Sequence, residues 1–419
     1  MPARTASAPR KASHQVSHKA SHKASHQAAP QPTAKPKAKA KAAAKPVPVP
    51  RPGARGAAAK RASPTPKPTP TPTPPPPPVK PVTMADIAAR LGVSKMTVSR
   101  ALNREGSNPR STSEALRQRI LQACQEMGYV VDQTARTFSS KRSGFVAALV
   151  PALNNSNFSD TAHGLTAALE ASGLQLLLGY TDYDAATEER LLRALLSRRP
   201  EAVVVTGGTH TPAARKLLKA AGIPVVETWD LPAQPIDHCV GFSNAEAVAQ
   251  LVRQLHAQGH RRIGFLGGLP SSDARGADRR RGYESAMREL GLDATRQLSV
   301  GQAPVSMEHG AQGVVQLLHR WPDTQALVCV SDHPAFGALA ECQRRGIAVP
   351  GRLAIAGFGG FEVGASCHPR LTTVAVDCAG IGRAAGELLL RAIAAARDGR
   401  RLSPETVLIP YRVEMRGST

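Results

Sequence analysis

The chain has 419 residues and a formal net charge of +23, which is unevenly distributed. Its first 82 residues hold 16 of the 54 Lys and Arg, none of the 31 Asp and Glu, and 20 of the 35 prolines. No apolar run approaches the roughly 20 residues of a membrane helix, and no apolar segment of the secretory type follows the basic start. We therefore expect a cytoplasmic protein without a membrane partner.

Residues 1–82 form a Lys-, Ala- and Pro-rich segment that contains no Phe, Trp or Tyr. Such a segment cannot bury enough apolar surface to offset the entropy of ordering it, so we predict a disordered tail. Its Lys side chains could bind DNA phosphates without sequence preference, or the tail could be a solubilising extension. A translation start near Met84 would leave the tail out altogether.

The six cysteines are scattered without a C-x-x-C pair, which favours reduced, mostly buried thiols over a disulfide or zinc framework. No nucleophile elbow, phosphate loop or paired acid/base site is present in the sequence. We therefore expect a protein that is not an enzyme and that carries neither a metal nor another cofactor.

The first predicted helix begins as soon as the basic segment ends, within a helix-turn-helix domain over residues 83–130. Thr83 and Asp86 have the spacing of a capping box, and Ile87 and Leu91 place apolar groups one helical turn apart. The pattern predicts a helix over 84–91.

The second helix is expected to begin after Ser94, a strong N-cap, beyond a turn that Gly92 permits. Val98 and Leu102 would form its buried face, and a third helix fits residues 113–127. In a helix-turn-helix the second helix enters the major groove of DNA. The residues expected to contact bases or phosphates here are Thr83, Ser94, Lys95, Met96, Thr97, Ser99, Arg100 and Asn103.

The spacing A-x-x-x-G-V-S-x-x-T-V-S-R over residues 88–100 resembles the opening signature of the lactose-repressor family. That resemblance implies a hinge helix and linker at 131–143, which orders on operator DNA and wedges an apolar side chain into the minor groove. The matching residues are Ala135, Arg136 and Phe138. Two departures are a loop over 103–112 that is longer than usual in the family and Val131 in place of a proline.

From residue 144 onward, short apolar runs alternate with amphipathic segments, which indicates parallel sheets covered by helices on both faces. The predicted strands are 145–153, 174–180, 202–208, 224–230, 239–244, 262–268, 326–332 and 353–359. The predicted helices are 158–172, 187–199, 212–221, 244–258, 278–290, 308–320, 333–345 and 378–397. The elements divide near residues 241–244, so we predict an α/β core, 144–419, of two doubly wound parallel-sheet lobes with a ligand cleft between them.

The lactose-repressor resemblance extends from Thr83 to about Met415, and it implies a core similar to periplasmic sugar-binding proteins that binds an effector and dimerises. Arg279 matches the arginine of the family's R-x-x-G-aromatic motif, which contacts the effector; its neighbours Arg280 and Arg281 are expected to face solvent. The candidate effector-binding residues are Phe158, Trp229, Asn244, Arg279, Ser331, Asp332 and Phe358. Packing could equally explain Phe158 and Trp229, as helix capping could explain Asn244.

The corner at residues 357–360 reads GFGG where the family usually has GFDD or GYDD. Loss of the acidic group removes a hydroxyl acceptor and a negative charge that would repel an anion. The corner and the segment 226–244 resemble gluconate-operon repressors, so gluconate is the expected effector.

Taken together, the sequence predicts a homodimeric, sequence-specific repressor, associated with the nucleoid, whose binding to double-stranded operator DNA is controlled by a sugar acid. One alternative is a repressor of the same family that responds to another sugar. Another is a nonspecific DNA-compacting protein dominated by the basic tail. The operator, the direction of the effector's action and the choice between dimer and tetramer stay open.

Overall fold

The structure is a computed structural model that describes residues 80–102, 113–130, 142–271 and 273–419. By its internal contacts the chain divides between Pro78 and Val79, and every described residue belongs to the second unit. Nearly all of the predicted tail, the loop and most of the hinge lie outside the described residues. The same holds for four of the candidate DNA contacts: Asn103, Ala135, Arg136 and Phe138.

Three short helices form the head: α1 Met84–Leu91, α2 Lys95–Leu102 and α3 Glu114–Met127. Each contributes one aliphatic side chain with no exposed surface to a common core, namely Ile87, Val98 and Ile120. The predicted helix-turn-helix is confirmed, with α1 at the predicted bounds.

Polar caps explain where these helices begin. The Asp86 carboxylate accepts hydrogen bonds from the backbone N–H and the hydroxyl of Thr83, at 2.8 and 2.7 Å. The Ser94 hydroxyl accepts from the backbone N–H of Thr97 at 3.1 Å and so caps α2. Ser113 caps α3 in the same way, because its hydroxyl accepts from an N–H of the first turn.

Twelve strands and nine further helices follow in the described residues from Phe145 onward. The first part comprises β1 Phe145–Val150, α4 Ser156–Glu170, β2 Gln175–Tyr180, α5 Ala185–Leu196, β3 Ala202–Thr206, α6 Pro212–Ala220, β4 Val225–Thr228 and β5 His238–Gly241. The second comprises α7 Asn244–Ala257, β6 Ile263–Gly267, α8 Ala274–Glu289, β7 Gln297–Ser299, α9 Met307–Arg320, β8 Ala326–Cys329, α10 Asp332–Arg344, β9 Ala354–Gly359, α11 Glu362–Ser366, β10 Thr372–Val376, α12 Cys378–Arg397, β11 Thr406–Leu408 and β12 Tyr411–Glu414.

The strands form two six-stranded sheets, one in each lobe. Lobe one has the order β11-β5-β4-β3-β1-β2 and is parallel throughout. Lobe two has the order β12-β10-β9-β8-β6-β7 and is parallel except for β12, which runs antiparallel to β10. The predicted class, two doubly wound α/β lobes, is confirmed.

The single boundary predicted near residues 241–244 is incomplete, because the chain crosses between the lobes three times. It passes from β5 to α7, returns from β10 to α12, and crosses again between β11 and β12. Helix α12 packs along α4 and against the lobe-one sheet, so residues 378–408 belong to lobe one. The sequence did not predict that α12 and β11 return to lobe one, because both pack against elements that are far from them in the sequence.

The contact between α4 and α12 is close enough to require glycine. A Cβ at Gly382 would lie 1.9 Å from the carbonyl oxygen of Thr161, and one at Gly164 would lie 2.1 Å from that of Ala379. The two backbones therefore touch directly, which holds the returning helix firmly on lobe one.

All six cysteines lie in the described part of the chain, and all are free. Five are buried and Cys367 is partly exposed, as the sequence predicted. Among the described residues, no helix is both long and apolar enough to cross a membrane.

Candidate functional site

Helix α2 presents one exposed side of the head. Lys95, Met96 and Arg100 are exposed, with Met96 at 62%, whereas Thr97 and Ser99 are partly buried. Arg100 Nη2 lies 3.3 Å from Met96 Sδ one turn earlier. The exposed face thus offers two cations and one apolar group, the kinds of group that contact phosphates, base edges and thymine methyls in a major groove.

A cleft of about 710 Å³, open at its mouth, lies between the two lobes where their strands end. Its position matches the usual ligand site of doubly wound folds. Lobe one lines it with Asn155, Asn157, Phe158, Tyr183 and Trp229. The side chains of lobe two that carry polar or aromatic groups there are Asp273, Arg275, Arg279, Ser331, His333, Phe358 and Phe361.

Arg279 projects from α8 and is held by lobe two. Its Nε donates to Asn244 Oδ1 at 2.9 Å and its Nη1 donates to the Val330 carbonyl at 2.9 Å. The guanidinium lies over the ring of Phe358, 3.7 Å from the centroid. Burial lowers the pKa of Arg279 to about 10, so the side chain stays cationic at neutral pH. Nη2 has no hydrogen-bond partner among the described residues, which leaves one edge of a fixed cation for a ligand.

Arg275 lies one turn before Arg279 on α8 and reaches across to lobe one. Its guanidinium is 5.3 Å from the ring centroid of Phe158 and 5.8 Å from that of Tyr183. Its Nε lies 3.4 Å from Asp273 Oδ1. Burial opposes the charge, but Asp273 and Tyr183 raise the pKa of Arg275 overall, so a second buried cation lines the cleft.

The lobe-one wall is aromatic, and two of its residues, Tyr183 and Trp229, have positive φ angles. Trp229 has φ +71 and is 2% exposed, and its Nε1 donates to Thr161 Oγ1 at 3.1 Å. Phe158 and Phe242 meet the indole edge-on, with centroids 5.4 and 6.0 Å away. A bulky residue in this conformation is costly and is typical of binding sites.

Two predicted effector ligands lie behind the cleft lining. Asn244 Nδ2 donates to the Trp229 carbonyl at 2.9 Å while its Oδ1 accepts from Arg279, so Asn244 connects the two lobes through its amide. Asp332 has no exposed surface; it accepts from the Thr373 hydroxyl at 2.7 Å and the Phe361 N–H at 2.8 Å. Burial raises the pKa of Asp332 to about 6. Both residues position cleft groups in this structure.

The expectation for Arg280 was wrong, and that for Arg281 is confirmed. Arg280 is partly buried and donates to Gln297, Ser299 and the Gly268 carbonyl. Arg281 is exposed and pairs with Asp278. The error arose because the partners of Arg280 lie on or beside β6 and β7, and β7 was not predicted.

The ionised groups that line the cleft give it a positive balance. They are the two guanidinium ions of Arg275 and Arg279 and the carboxylate of Asp273. Burial lowers the pKa of His333, so its imidazole is neutral at pH 7. Across the described part of the chain, no cluster of His, Cys, Asp and Glu has the form of a metal site. The cleft is therefore suited to an anion that also carries polar groups.

Comparison with known proteins identifies the family. Residues 83–132 match the model for bacterial regulatory proteins of the lacI family, and residues 252–419 match a periplasmic binding protein-like domain. The chain is 35% identical over 339 residues to the HTH-type transcriptional regulator GntR of Escherichia coli (strain K12), covering 81% of this chain and 98% of the relative. The chain belongs to the LacI family.

Solved structures agree with this assignment. A LacI family transcriptional regulator from Silicibacter pomeroyi is 44% identical, with a TM-score of 0.61 over 65% of this chain and 98% of the other. The transcription regulator GntR from Chromobacterium violaceum is 38% identical, with a TM-score of 0.59 over the same shares. The protein is thus a DNA-binding transcriptional repressor of the LacI family, which comprises regulators rather than enzymes.

Five of the seven effector-binding residues predicted from the sequence line the cleft: Phe158, Trp229, Arg279, Ser331 and Phe358. The lining residues that the sequence did not predict include Arg275, Tyr183 and Asn157. The four-residue spacing of Arg275 and Arg279 on one helix was an available signal, because such residues share a helix face. Nothing local marks Asn157 or Tyr183, which reach the cleft from loops and helix starts of the other lobe.

Proposed function

We propose that this LacI-family repressor binds a sugar acid, gluconate or a close relative, in the cleft and changes its affinity for operator DNA in response. The observation that carries the proposal is Arg279, a buried cation that is fixed on two sides and open on a third. A guanidinium in this setting binds a carboxylate through strong, directed hydrogen bonds.

The surroundings of Arg279 favour an acid over a neutral sugar. Arg275 adds a second cation, and Asp273, which lines the cleft, is close to Arg275 rather than hydrogen-bonded to Arg279. Residues 359 and 360 are both glycine, so no carboxylate at that corner competes with the ligand for Arg279.

On the DNA side, we propose that Lys95, Met96, Ser99 and Arg100 contact bases and phosphates, with Ser94 and Thr97 at the helix start. Thr83 would contact the backbone from the start of α1. Two heads of a homodimer would occupy the half-sites of a near-palindromic operator, and the hinge residues Ala135, Arg136 and Phe138 would order between them.

Coupling between the two sites would run through the lobe arrangement. Three chain crossings join the lobes, and the ligand would contact both, so binding would favour one relative orientation. The coupling is reciprocal: if the ligand weakens operator binding, the operator weakens ligand binding by the same factor.

Calorimetric titration of the full-length protein tests the ligand. Gluconate and glucitol share a carbon chain and differ at one end, where gluconate has a carboxylate and glucitol a hydroxymethyl group. We expect gluconate to bind and glucitol to bind at least about tenfold more weakly, because the acid alone can pair with Arg279. Equal affinity for the two would contradict the proposal.

Operator binding is tested with duplexes selected from a randomised pool by the full-length protein. Saturating gluconate should change the affinity for the selected duplex, whereas glucitol should not. Lys95→Ala with Arg100→Ala should abolish selection of a defined sequence, and the exposed α3 variant Gln118→Ala serves as the matched control. If the protein selects a defined duplex but its affinity for that duplex does not change with gluconate, the proposed effector is wrong.

A further inference from the structure

Gly359 ends β9 in lobe two and lies directly against Asn157 of lobe one. Gly359 has φ +131, and a Cβ there would lie 2.7 Å from Nδ2 of Asn157 and 2.9 Å from the ring of Phe361. Nonbonded atoms do not approach so closely without displacement. The space that a side chain at 359 would occupy is therefore taken by an amide from the opposite lobe.

The next residue is closed to side chains as well. Gly360 has φ +74, and a Cβ there would lie 2.9 Å from Cα of Ala375, a backbone atom of the neighbouring strand β10. A side chain at 359 would have to displace the Asn157 amide and the Phe361 ring, and one at 360 would have to shift the backbone of β10. The absence of acid from this corner is built into the packing around it.

Asn157 itself is 7% exposed, yet its side chain has no protein partner in the described residues. Its backbone is fully used, because its N–H donates to Asn155 Oδ1 at 3.1 Å and its carbonyl accepts from the Thr161 hydroxyl at 2.8 Å. The side-chain amide lines the cleft. The amide atoms keep some accessible surface in the cleft, so water or a ligand can bond to them.

Arg279 approaches the same corner from lobe two. Its guanidinium lies over the ring of Phe358, the residue immediately before Gly359. A carboxylate at this corner would pair with the guanidinium and cancel its charge. A neutral amide leaves that charge for a ligand and adds an N–H donor from the other lobe.

We propose that Asn157 is a specificity-determining residue of the cleft. Its Nδ2 donates to an oxygen at the acid end of the ligand. Because the uncharged amide fills the space that a side chain at residue 359 would occupy, the cleft selects acids over neutral polyols. This inference rests on the proposed function, in which the ligand is a sugar acid. It predicts that one isosteric change in lobe one weakens a preference whose cations lie in lobe two.

The test is Asn157→Asp in the full-length protein, which replaces the amide with a carboxylate of the same shape. Affinities are measured by calorimetry for two matched pairs, gluconate with glucitol and galactonate with galactitol. We expect the preference for acid over polyol to fall at least about tenfold, through weaker binding of the acids, because two carboxylates would share one site. Asn157→Ala, which removes the donor without adding charge, should weaken the acids by less.

Asn155→Asp is the matched control, because it adds the same charge to another amide that lines the cleft. An equal loss of preference in this variant would overturn the specific role of Asn157, as would an unchanged preference in Asn157→Asp. If the wild-type protein prefers the polyols or binds neither class, the proposed function fails first, and this inference falls with it. Wild-type preference for acids that survives Asn157→Asp sinks this inference alone.

Discussion

The two lobes share an architecture but offer the cleft different chemistry. Lobe one contributes amides and aromatic rings, with no group that is ionised at neutral pH among its lining residues. Lobe two contributes Asp273, Arg275 and Arg279, which are all of the ionised groups that line the cleft in the described chain. The difference separates two tasks: lobe two holds the charge that attracts an acid, and lobe one supplies the neutral surface that closes on it.

The division has an electrostatic reason. A cation buried between two lobes loses hydration on both sides, so its cost is reduced when one lobe alone carries and fixes it. Arg279 donates hydrogen bonds to Asn244 Oδ1 and to the Val330 carbonyl, and it stacks on Phe358. Lobe one then needs only to cover the site, which aromatic faces do well beside a guanidinium.

The largest expected effect comes from removing the fixed cation of lobe two. Arg279→Gln should weaken gluconate binding about 100-fold, since hydrogen bonds between charged groups contribute about 1.5–3 kcal/mol each. Glucitol affinity should change far less. Calorimetry of both ligands checks this, with the exposed Arg281→Gln as the control that should bind gluconate as the wild type does. A similar loss for both ligands would mean that Arg279 acts on shape and not on charge.

Removal of the cation that reaches lobe one should have a smaller effect. Arg275→Gln should weaken gluconate binding about tenfold, because it removes one charge and two ring contacts but leaves Arg279 in place. Arg275→Lys keeps the charge and should recover only part of the affinity, since an ammonium does not stack as a planar guanidinium does. Full recovery by Lys would assign the effect to charge alone.

The pH dependence of the unfolding free energy tests the buried carboxylate of Asp332, which lies in lobe two behind the cleft lining. The pKa of Asp332 is raised to about 6, so as pH falls the native state takes up a proton before the unfolded chain does. Between pH 7 and 5 the wild type should gain about 1 kcal/mol of unfolding free energy relative to Asp332→Asn, and lose it again as pH rises through 6. Urea unfolding followed by fluorescence reports this, because Trp229 is buried and the partly buried Trp321 packs against the core. Parallel profiles would mean that Asp332 does not titrate in this range.

The smallest effect is expected from a substitution in the aromatic wall of lobe one. Trp229→Phe removes the N–H donated to Thr161 but no charge, so gluconate and glucitol should both weaken about threefold. The ratio of the two affinities measures this, and Trp321→Phe, outside the cleft, is the control. A changed ratio would show that the aromatic wall contributes to acid selection.

Local signals in the sequence were sufficient for the head and for most of the two sheets. Thr83 with Asp86, and Ser94, mark helix starts that the structure reproduces. The eight predicted strands are all present. Seven of them are largely buried, and buried parallel strands form continuous apolar runs; β2 is an exposed edge strand. The four that were missed are short: β7, β10, β11 and β12 have three to five residues each.

Motifs and residues at strand ends were enough to predict part of the cleft. The R-x-x-G-aromatic spacing pointed to Arg279, and the structure places that residue in the cleft. Asn157 and Tyr183 carry no motif, since their role depends on which residues of the other lobe come to face them. Asp332 was expected in the pocket, but its carboxylate is drawn back onto Thr373 and the Phe361 N–H. Such contacts depend on tertiary packing and leave no periodic trace in the sequence.

The return of α12 and β11 to lobe one also sets the order in which the chain can fold. During synthesis, lobe one emerges first but lacks its long helix and an edge strand until Leu408 has been made. The α4 surface that α12 covers, with Gly164 at the contact, stays uncovered while lobe two is translated as far as β10. Chain growth and lobe completion therefore run in different orders, and a premature stop before Leu408 leaves both lobes unfinished.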